Sequence, residues 1–150
     1  MRFAHFSRAD ADTAVLCVVA DDRAIEVPGL FPDAPGSLEE LIAGGADLLS
    51  RVRSAVDALD VGAAGHPVAD GRFASVLSAP PLVLAIGLNY AAHSSELGLK
   101  TDTAPTVFTL WPNSLTGHGQ TTSWPRSLSE AVDYEAELGV IIGTPAKNVS

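Results

Sequence analysis

Acidic and apolar residues alternate over residues 133–138, and this alternation constrains the chain more than any other feature. Successive side chains on a strand point to opposite faces, so a period of two residues predicts a β-strand. Asp133, Glu135 and Glu137 would then share one face, roughly 6–7 Å apart. The apolar run at residues 140–142 follows directly and predicts that the strand continues into a hydrophobic core.

The three carboxylates of this predicted strand have two interpretations. Like charges at such a spacing repel each other unless a cation lies between them, and carboxylate oxygens suit Mg²⁺, Mn²⁺ or Ca²⁺ better than zinc. Acidic groups at the mouth of a buried strand need a partner, which favours a metal site. A half-buried strand with a solvated acidic face produces the same pattern, so the pattern alone leaves both interpretations open.

A second candidate pair, His93 and Glu96, lies upstream. Residues three apart share one face of a helical turn, so the carboxylate of Glu96 can hold the imidazole of His93 in one tautomer. A general base needs this arrangement. Exposed helices also carry such pairs without any catalytic role, so the spacing by itself does not decide.

Two longer segments contain these candidates. They are residues 86–96, Ile-Gly-Leu-Asn-Tyr-Ala-Ala-His-Ser-Ser-Glu, and residues 133–143, Asp-Tyr-Glu-Ala-Glu-Leu-Gly-Val-Ile-Ile-Gly. In this order they resemble two signatures of the fumarylacetoacetate hydrolase family, and the later one resembles its metal-binding strand. Residues 105–108 and 114–117 lie where that family has its substrate-cavity segment. The resemblance is strong over residues 79–150 and loose before them.

The resemblance implies roles for the charged residues. Glu135 and Glu137 match the family's first two carboxylate ligands for Mg²⁺ or Mn²⁺, which Ca²⁺ can replace in crystals, and Asp133 is a supporting or structural acid. His93 and Glu96 match a dyad that activates water. The family's third metal ligand, an Asp, and a later Lys would lie beyond residue 150.

Four further residues are expected to contact a substrate. Gly87 would let the backbone come close to a bound ligand. Asn89 and Tyr90 either donate hydrogen bonds to that ligand or only close the turn. Trp111 is either a wall of the cavity or an ordinary core residue. The resemblance therefore implies a substrate site made of Gly87, Asn89, Tyr90 and Trp111.

The resemblance also implies chemistry on a small oxo acid. We expect hydrolysis of a carbon–carbon bond in a 2,4-diketo acid such as an acylpyruvate, through a metal-bound enolate and with water activated by the dyad. Oxaloacetate decarboxylation and isomerisation of a hydroxy-dienoate pass through a similar enolate and remain alternatives. Leu110 stands where many relatives have Lys, which weakens the binding of a substrate carboxylate there unless Arg126 or a later residue replaces that charge.

A function of a different class also stays open. Members of the family are close to twice this length, so the chain is alternatively a non-catalytic remnant or one half of a split protein that needs a partner chain. Half of a β-roll would expose strand edges and apolar surface that a partner must cover. A structural Ca²⁺-binding module is disfavoured, because no loop supplies the roughly 6–8 oxygen ligands of such a site.

Composition narrows the compartment and the partners. Hydrophobic residues make up 47% of the chain and charged residues 18%, as in globular proteins. A net charge of −9 disfavours nucleic acid and anionic membranes as partners. The single cysteine, Cys17, is expected to be buried, excludes an internal disulfide and favours a reducing compartment. No stretch reaches the ~18 apolar residues of a membrane span. We therefore expect a cytoplasmic protein, and the resemblance implies a homodimer.

The fold expected from these patterns is α+β and mainly β. Residues 1–70 should form a small N-terminal α/β domain, and residues 71–150 the N-terminal half of a catalytic domain, which is the start of the family's mixed β-roll. A capping box predicts a helix from Ser37, and Asp47 is expected to cap a second helix. Residues 61–71 have the composition of a linker. Strands are predicted at residues 2–6, 14–20, 24–27 and, fully buried, 82–86.

Overall fold

The computed structural model describes residues 1–96, 98 and 104–149. Two units can be distinguished. The first combines Met1–Ser78 with Gly117–Ser150, and the second is Ala79–Thr116. Both contain antiparallel strands, and the chain is a mixed α/β protein with more sheet than any other regular element, as the sequence predicts. The proposed domain boundary near residue 70 stays a prediction.

The first unit is built on a five-stranded antiparallel sheet. Its strands are β1 (Arg2–Arg8), β2 (Val15–Ala20), β3 (Arg23–Glu26), β4 (His66–Pro67) and β5 (Gly71–Phe73). Their order in the sheet is β4-β3-β2-β1-β5, and the predicted first three strands are confirmed. The apolar strand β2 runs through the middle of the sheet and contributes alternate residues to two cores. Leu16 and Val18 belong to one hydrophobic cluster, and Cys17 belongs to another.

Two helices contribute to the larger core. Helix α1 (Leu38–Ala43) begins as predicted, because the Ser37 hydroxyl accepts a hydrogen bond from the Glu40 amide at 3.1 Å. Helix α2 (Gly45–Asp57) buries Val52 and Val56 against the sheet. The burial of these apolar side chains is what holds the helix on the sheet, since short helices gain most of their stability from packing.

The predicted start of the second helix at Asp47 is wrong. Helix α2 already begins at Gly45, and Gly44 before it provides no side-chain cap. Gly45 has φ +65°, a left-handed conformation that glycine adopts without steric cost. The chain can therefore turn directly from one helix into the next, and no side-chain cap at Asp47 is needed.

Residues 61–71 are not a linker. They form helix α3 (Val61–Ala64), strand β4, a short 3₁₀ turn over Val68–Asp70 and the start of β5. The guanidinium of Arg23 donates hydrogen bonds to the carbonyls of Gly62, at 2.8 Å, and Gly65. Tertiary hydrogen bonds thus order a segment whose Gly, Ala and Pro content is typical of loops.

The second unit contains a two-stranded antiparallel sheet. Strand β6 (Val83–Gly87) pairs with β7 (Thr106–Leu110), and helix α4 (Ala91–Glu96) follows β6. The strand expected over residues 82–86 is confirmed in place, but its full burial is wrong. Leu84 is 53% exposed, because among the described residues the sheet has only these two strands.

The strand expected over residues 133–142 is also wrong. This stretch carries no regular secondary structure, and Tyr134 is 89% exposed. A strand forms only where its backbone groups pair with a neighbouring strand, and alternation by itself does not supply that pairing. Neither sheet in the described part of the chain includes this segment. In the same described residues, no helix is both long enough and apolar enough to cross a bilayer.

Cys17 is buried as expected, and its environment predicts a pH effect. Burial, with the negative charge of Glu26 as a smaller cause, raises the pKa of the Cys17 thiol from 9.0 to about 12. Between these values the unfolded thiol ionises while the folded thiol keeps its proton, so the unfolded state binds fewer protons. The free energy of unfolding should therefore fall as pH rises above 9.0, by about 1.4 kcal/mol at pH 10 from this residue.

The measurement is urea denaturation of the wild type and Cys17→Ala at pH 7 and pH 10. Other groups also titrate in this range, so the relevant quantity is the difference between the two proteins. We expect the free energy of unfolding of the wild type to fall more between pH 7 and pH 10 than that of Cys17→Ala. An equal loss of stability in both proteins would contradict the raised pKa.

Candidate active site

The turn between β6 and α4 has an unusual backbone. Leu88, directly after Gly87, has φ +57°, which is rare for a residue with a branched side chain. Such conformations cost about 1–3 kcal/mol and persist only where surrounding contacts hold them. Here the Ser94 hydroxyl donates to the Leu88 carbonyl at 3.1 Å, and the Ser94 amide donates to the Tyr90 carbonyl at 3.0 Å. Helix α4 therefore holds the turn from which it starts.

His93 and Glu96 both lie on helix α4, the kind of element on which residues three apart share a face. Both are exposed, and their separation of three residues places them on the same side of the helix. Within the described residues, the structure records no hydrogen bond or ion pair between them. Their joint action as a dyad stays a prediction, but the helical geometry that it requires is present.

The residues expected to contact a substrate lie in the same unit as the dyad. Gly87 ends β6, opposite Thr106, and Asn89 and Tyr90 are exposed in the turn before α4. Trp111 directly follows β7 and is 77% exposed, so it is not an ordinary core residue in this structure. The turn after it is held because the amide and hydroxyl of Ser114 donate to the Trp111 carbonyl at 2.9 and 2.7 Å.

Leu110, where a cation is expected in relatives, is the last residue of β7 and pairs with Val83. Directly paired residues share a face of a sheet, and so do residues two apart, so Leu110 lies on the same face as Phe108 and Gly87. A cation at residue 110 would have stood on this face. Arg126, the alternative cation, belongs to the other unit.

Glu135 and Glu137 lie in the other unit, on the exposed segment without regular secondary structure. Their carboxylates fit Mg²⁺ or Mn²⁺ in donor chemistry. In the described residues, no three His, Cys, Asp or Glu side chains come together in a group that could hold a metal. The structure thus presents two suitable donors and leaves their role as ligands a prediction.

Sequence reasoning passed over Ser94, which lies in helix α4 and bonds to the turn before it. It is only 1% exposed, while the residues on either side of it are exposed. The available signal was a small hydroxyl residue seven positions after a strand end, since serine hydroxyls often bond to nearby backbone carbonyls. That signal is weak, because it occurs in many exposed helices.

Comparison with known proteins identifies the family that the later part of the chain resembles. Residues 82–150 match the family model described as the C-terminal region of fumarylacetoacetate (FAA) hydrolase. This range includes the dyad, the residues expected at the substrate and both candidate metal ligands. Residues 82–150 belong to the fumarylacetoacetate hydrolase family. The family that the two signatures resemble is thereby confirmed.

Curated relatives of the family extend the match. The Escherichia coli homoprotocatechuate catabolism bifunctional isomerase/decarboxylase is 44% identical over 92 residues, which cover 57% of this chain and 21% of that protein. A Salmonella dublin isomerase/decarboxylase of 4-hydroxyphenylacetate degradation is 47% identical over 74 residues, 49% of this chain and 17% of that enzyme. A Burkholderia multivorans protein provisionally named a hydrolase is 34% identical over 134 residues, 83% of this chain and 45% of that protein. The chain therefore spans less than half the length of each of these family relatives.

Gly87 offers a test that separates folding from function. A Cβ atom at this position would lie 3.5 Å from the Thr106 Cβ, an ordinary contact. We expect Gly87→Ala to change the free energy of unfolding by less than about 0.5 kcal/mol in urea denaturation. If this stable variant loses ligand binding, the ligand must come close to the backbone at Gly87, where the added methyl group would block it.

Gly117→Ala is the contrasting variant. A Cβ atom there would overlap the backbone carbonyl of Phe73, so we expect a loss of about 1–3 kcal/mol. A loss of similar size in Gly87→Ala would contradict the geometry and would show that the fold itself requires this glycine.

Proposed function

We propose that the chain forms part of a divalent-metal-dependent enzyme that hydrolyses a carbon–carbon bond in a small 2,4-diketo acid, such as an acylpyruvate. The family match over residues 82–150 carries this proposal, because it includes all the residues to which chemistry is assigned. The position of His93 and Glu96 on one short helix after an anchored turn supports it further.

In this proposal His93 is the general base. Its imidazole takes a proton from water, and the resulting hydroxide adds to the carbonyl farther from the carboxylate. The carbon–carbon bond then breaks, with its electron pair leaving on the pyruvate side as an enolate. The protonated imidazole returns its proton to the enolate carbon, which gives pyruvate and a second carboxylic acid.

Glu96 would keep the imidazole in the productive tautomer by accepting a hydrogen bond from its other ring nitrogen. Both side chains are exposed and three residues apart on α4, so a change of rotamer is enough to bring them together. Exposed rotamers interconvert in picoseconds to nanoseconds, far faster than typical turnover. The missing contact between the two side chains is therefore compatible with a dyad.

Glu135 and Glu137 would hold Mg²⁺ or Mn²⁺. A bound divalent cation would supply positive charge that stabilises the developing enolate. The two carboxylates are separated by one residue, so an extended backbone would direct both to the same side.

Decarboxylation of oxaloacetate or isomerisation of a hydroxy-dienoate is the second candidate. The names of the Escherichia coli and Salmonella dublin relatives, both bifunctional isomerase/decarboxylases, favour it. These reactions also develop an enolate, so the same carboxylates would serve. They differ in needing proton transfer at carbon but no attack by water. We further propose that the protein acts as a cytoplasmic homodimer on a small oxo acid.

The metal ligands can be tested by isothermal titration calorimetry with MnCl₂. We expect Glu135→Ala and Glu137→Ala each to weaken Mn²⁺ binding at least ten-fold, because each removes an oxygen ligand. Glu130→Ala is the matched control, since it removes an exposed carboxylate outside the pair and should bind Mn²⁺ as the wild type does. Unchanged titrations in the first two variants would refute the site.

The role of His93 can be tested by pyruvate release from an acylpyruvate in the presence of Mn²⁺. We expect turnover by the wild type and a loss of at least 100-fold in kcat for His93→Ala, with Mn²⁺ affinity retained. His118→Ala removes another exposed histidine and serves as control.

Other outcomes of this assay distinguish the remaining functions. Wild-type hydrolysis that persists in His93→Ala would exclude the dyad. Turnover of oxaloacetate or a hydroxy-dienoate without acylpyruvate hydrolysis would establish the second candidate. Binding of Mn²⁺ without turnover of any of these compounds would instead support a chain that needs a partner.

A further inference from the structure

The strongest additional feature of the second unit is a buried hydroxyl next to the predicted general base. Ser94 is 1% exposed, whereas His93, Ser95 and Glu96 on the same helix are all exposed. Its hydroxyl donates to the Leu88 carbonyl at 3.1 Å, six residues earlier and outside the helix. A buried hydroxyl without a partner would be costly, so this bond also accounts for a serine at a buried position.

Helix α4 needs such an anchor because it is short. Six residues form fewer than two turns, and an isolated helix of this length is unstable in water. The strand β6 that precedes it ends at Gly87, and Leu88 then takes its left-handed conformation. The Ser94 hydroxyl donates its hydrogen bond to Leu88, which lies in the turn. This one contact therefore links the end of the strand, the turn and the helix.

We propose that Ser94 is a positioning residue that sets the direction in which the His93 side chain leaves helix α4. Successive residues of a helix are rotated by about 100° around its axis. Fixing Ser94 towards Leu88 therefore fixes the neighbouring His93 at a set angle, outward from the buried side. The functional consequence rests on the proposed role of His93 as a general base, while the contact itself does not.

The kinetic test compares three variants of the full chain in the acylpyruvate assay with Mn²⁺. Ser94→Ala should lower kcat ten- to 100-fold, the range expected when a catalytic group is displaced by about an ångström, with KM changed less than three-fold. Ser94→Thr keeps the hydroxyl and should recover most of the lost kcat. Ser95→Ala, an exposed serine on the same helix, should behave as the wild type.

A spectroscopic test does not depend on turnover. The Cε1–H resonance of His93, assigned by its disappearance in His93→Ala, should shift and broaden in Ser94→Ala and keep its position in Ser95→Ala. Circular dichroism and thermal denaturation of each variant show whether the remainder of the chain stays folded. In Ser94→Thr the resonance should return to its wild-type position.

The two tests separate this proposal from the proposed function. If the wild type shows no turnover, the proposed function is refuted. The His93 resonance in Ser94→Ala then tests the role of Ser94 by itself. An unchanged resonance in a folded Ser94→Ala would overturn the proposal, as would a kcat equal to that of the wild type. A loss of activity that Ser95→Ala shares would overturn it too, because any substitution on α4 would then have the same effect.

Discussion

Backbone pairing to the apolar strand β2 is the constraint on which the first unit depends. β2 lies between β1 and β3 and sends alternate side chains into two separate hydrophobic clusters. A strand covered on both faces needs every backbone group paired, because water cannot satisfy them. Its two neighbours supply that pairing, and the helices α1 and α2 cover the face of the larger cluster. Burial in this strand is also the larger of the two causes that raise the pKa of the Cys17 thiol.

The elements that could be predicted from the sequence are those stabilised by local interactions. The three N-terminal strands have apolar runs bounded by turn residues, and Ser37 caps α1 through a contact only three residues long. In each case the information lies within a few residues of the element that it specifies, so a pattern is enough.

The elements that were missed depend on distant partners. Residues 61–71 look like a linker, yet they are ordered by bonds from Arg23 and by pairing with β1 and β3. Residues 133–142 have strong strand character but no strand of the described chain pairs with them. Alternation predicts which side chains would share a face if a strand formed, and cannot say whether a neighbour exists. The same limit applies to the predicted metal site, because alternation does not show what would fix Glu135 and Glu137 in place.

The predicted site residues of the two units differ in the same way. The predicted base and its anchor depend on local contacts. The residues concerned are Leu88, His93, Ser94 and Glu96, which all lie within nine consecutive positions. Their geometry is specified within one strand-turn-helix segment. The carboxylates Glu135 and Glu137 belong to the other unit and would need a paired backbone to become fixed. Chemistry that needs the carboxylates would therefore depend on contacts that fix residues 133–142, whereas the direction of the His93 side chain from α4 depends on the contact between Ser94 and Leu88.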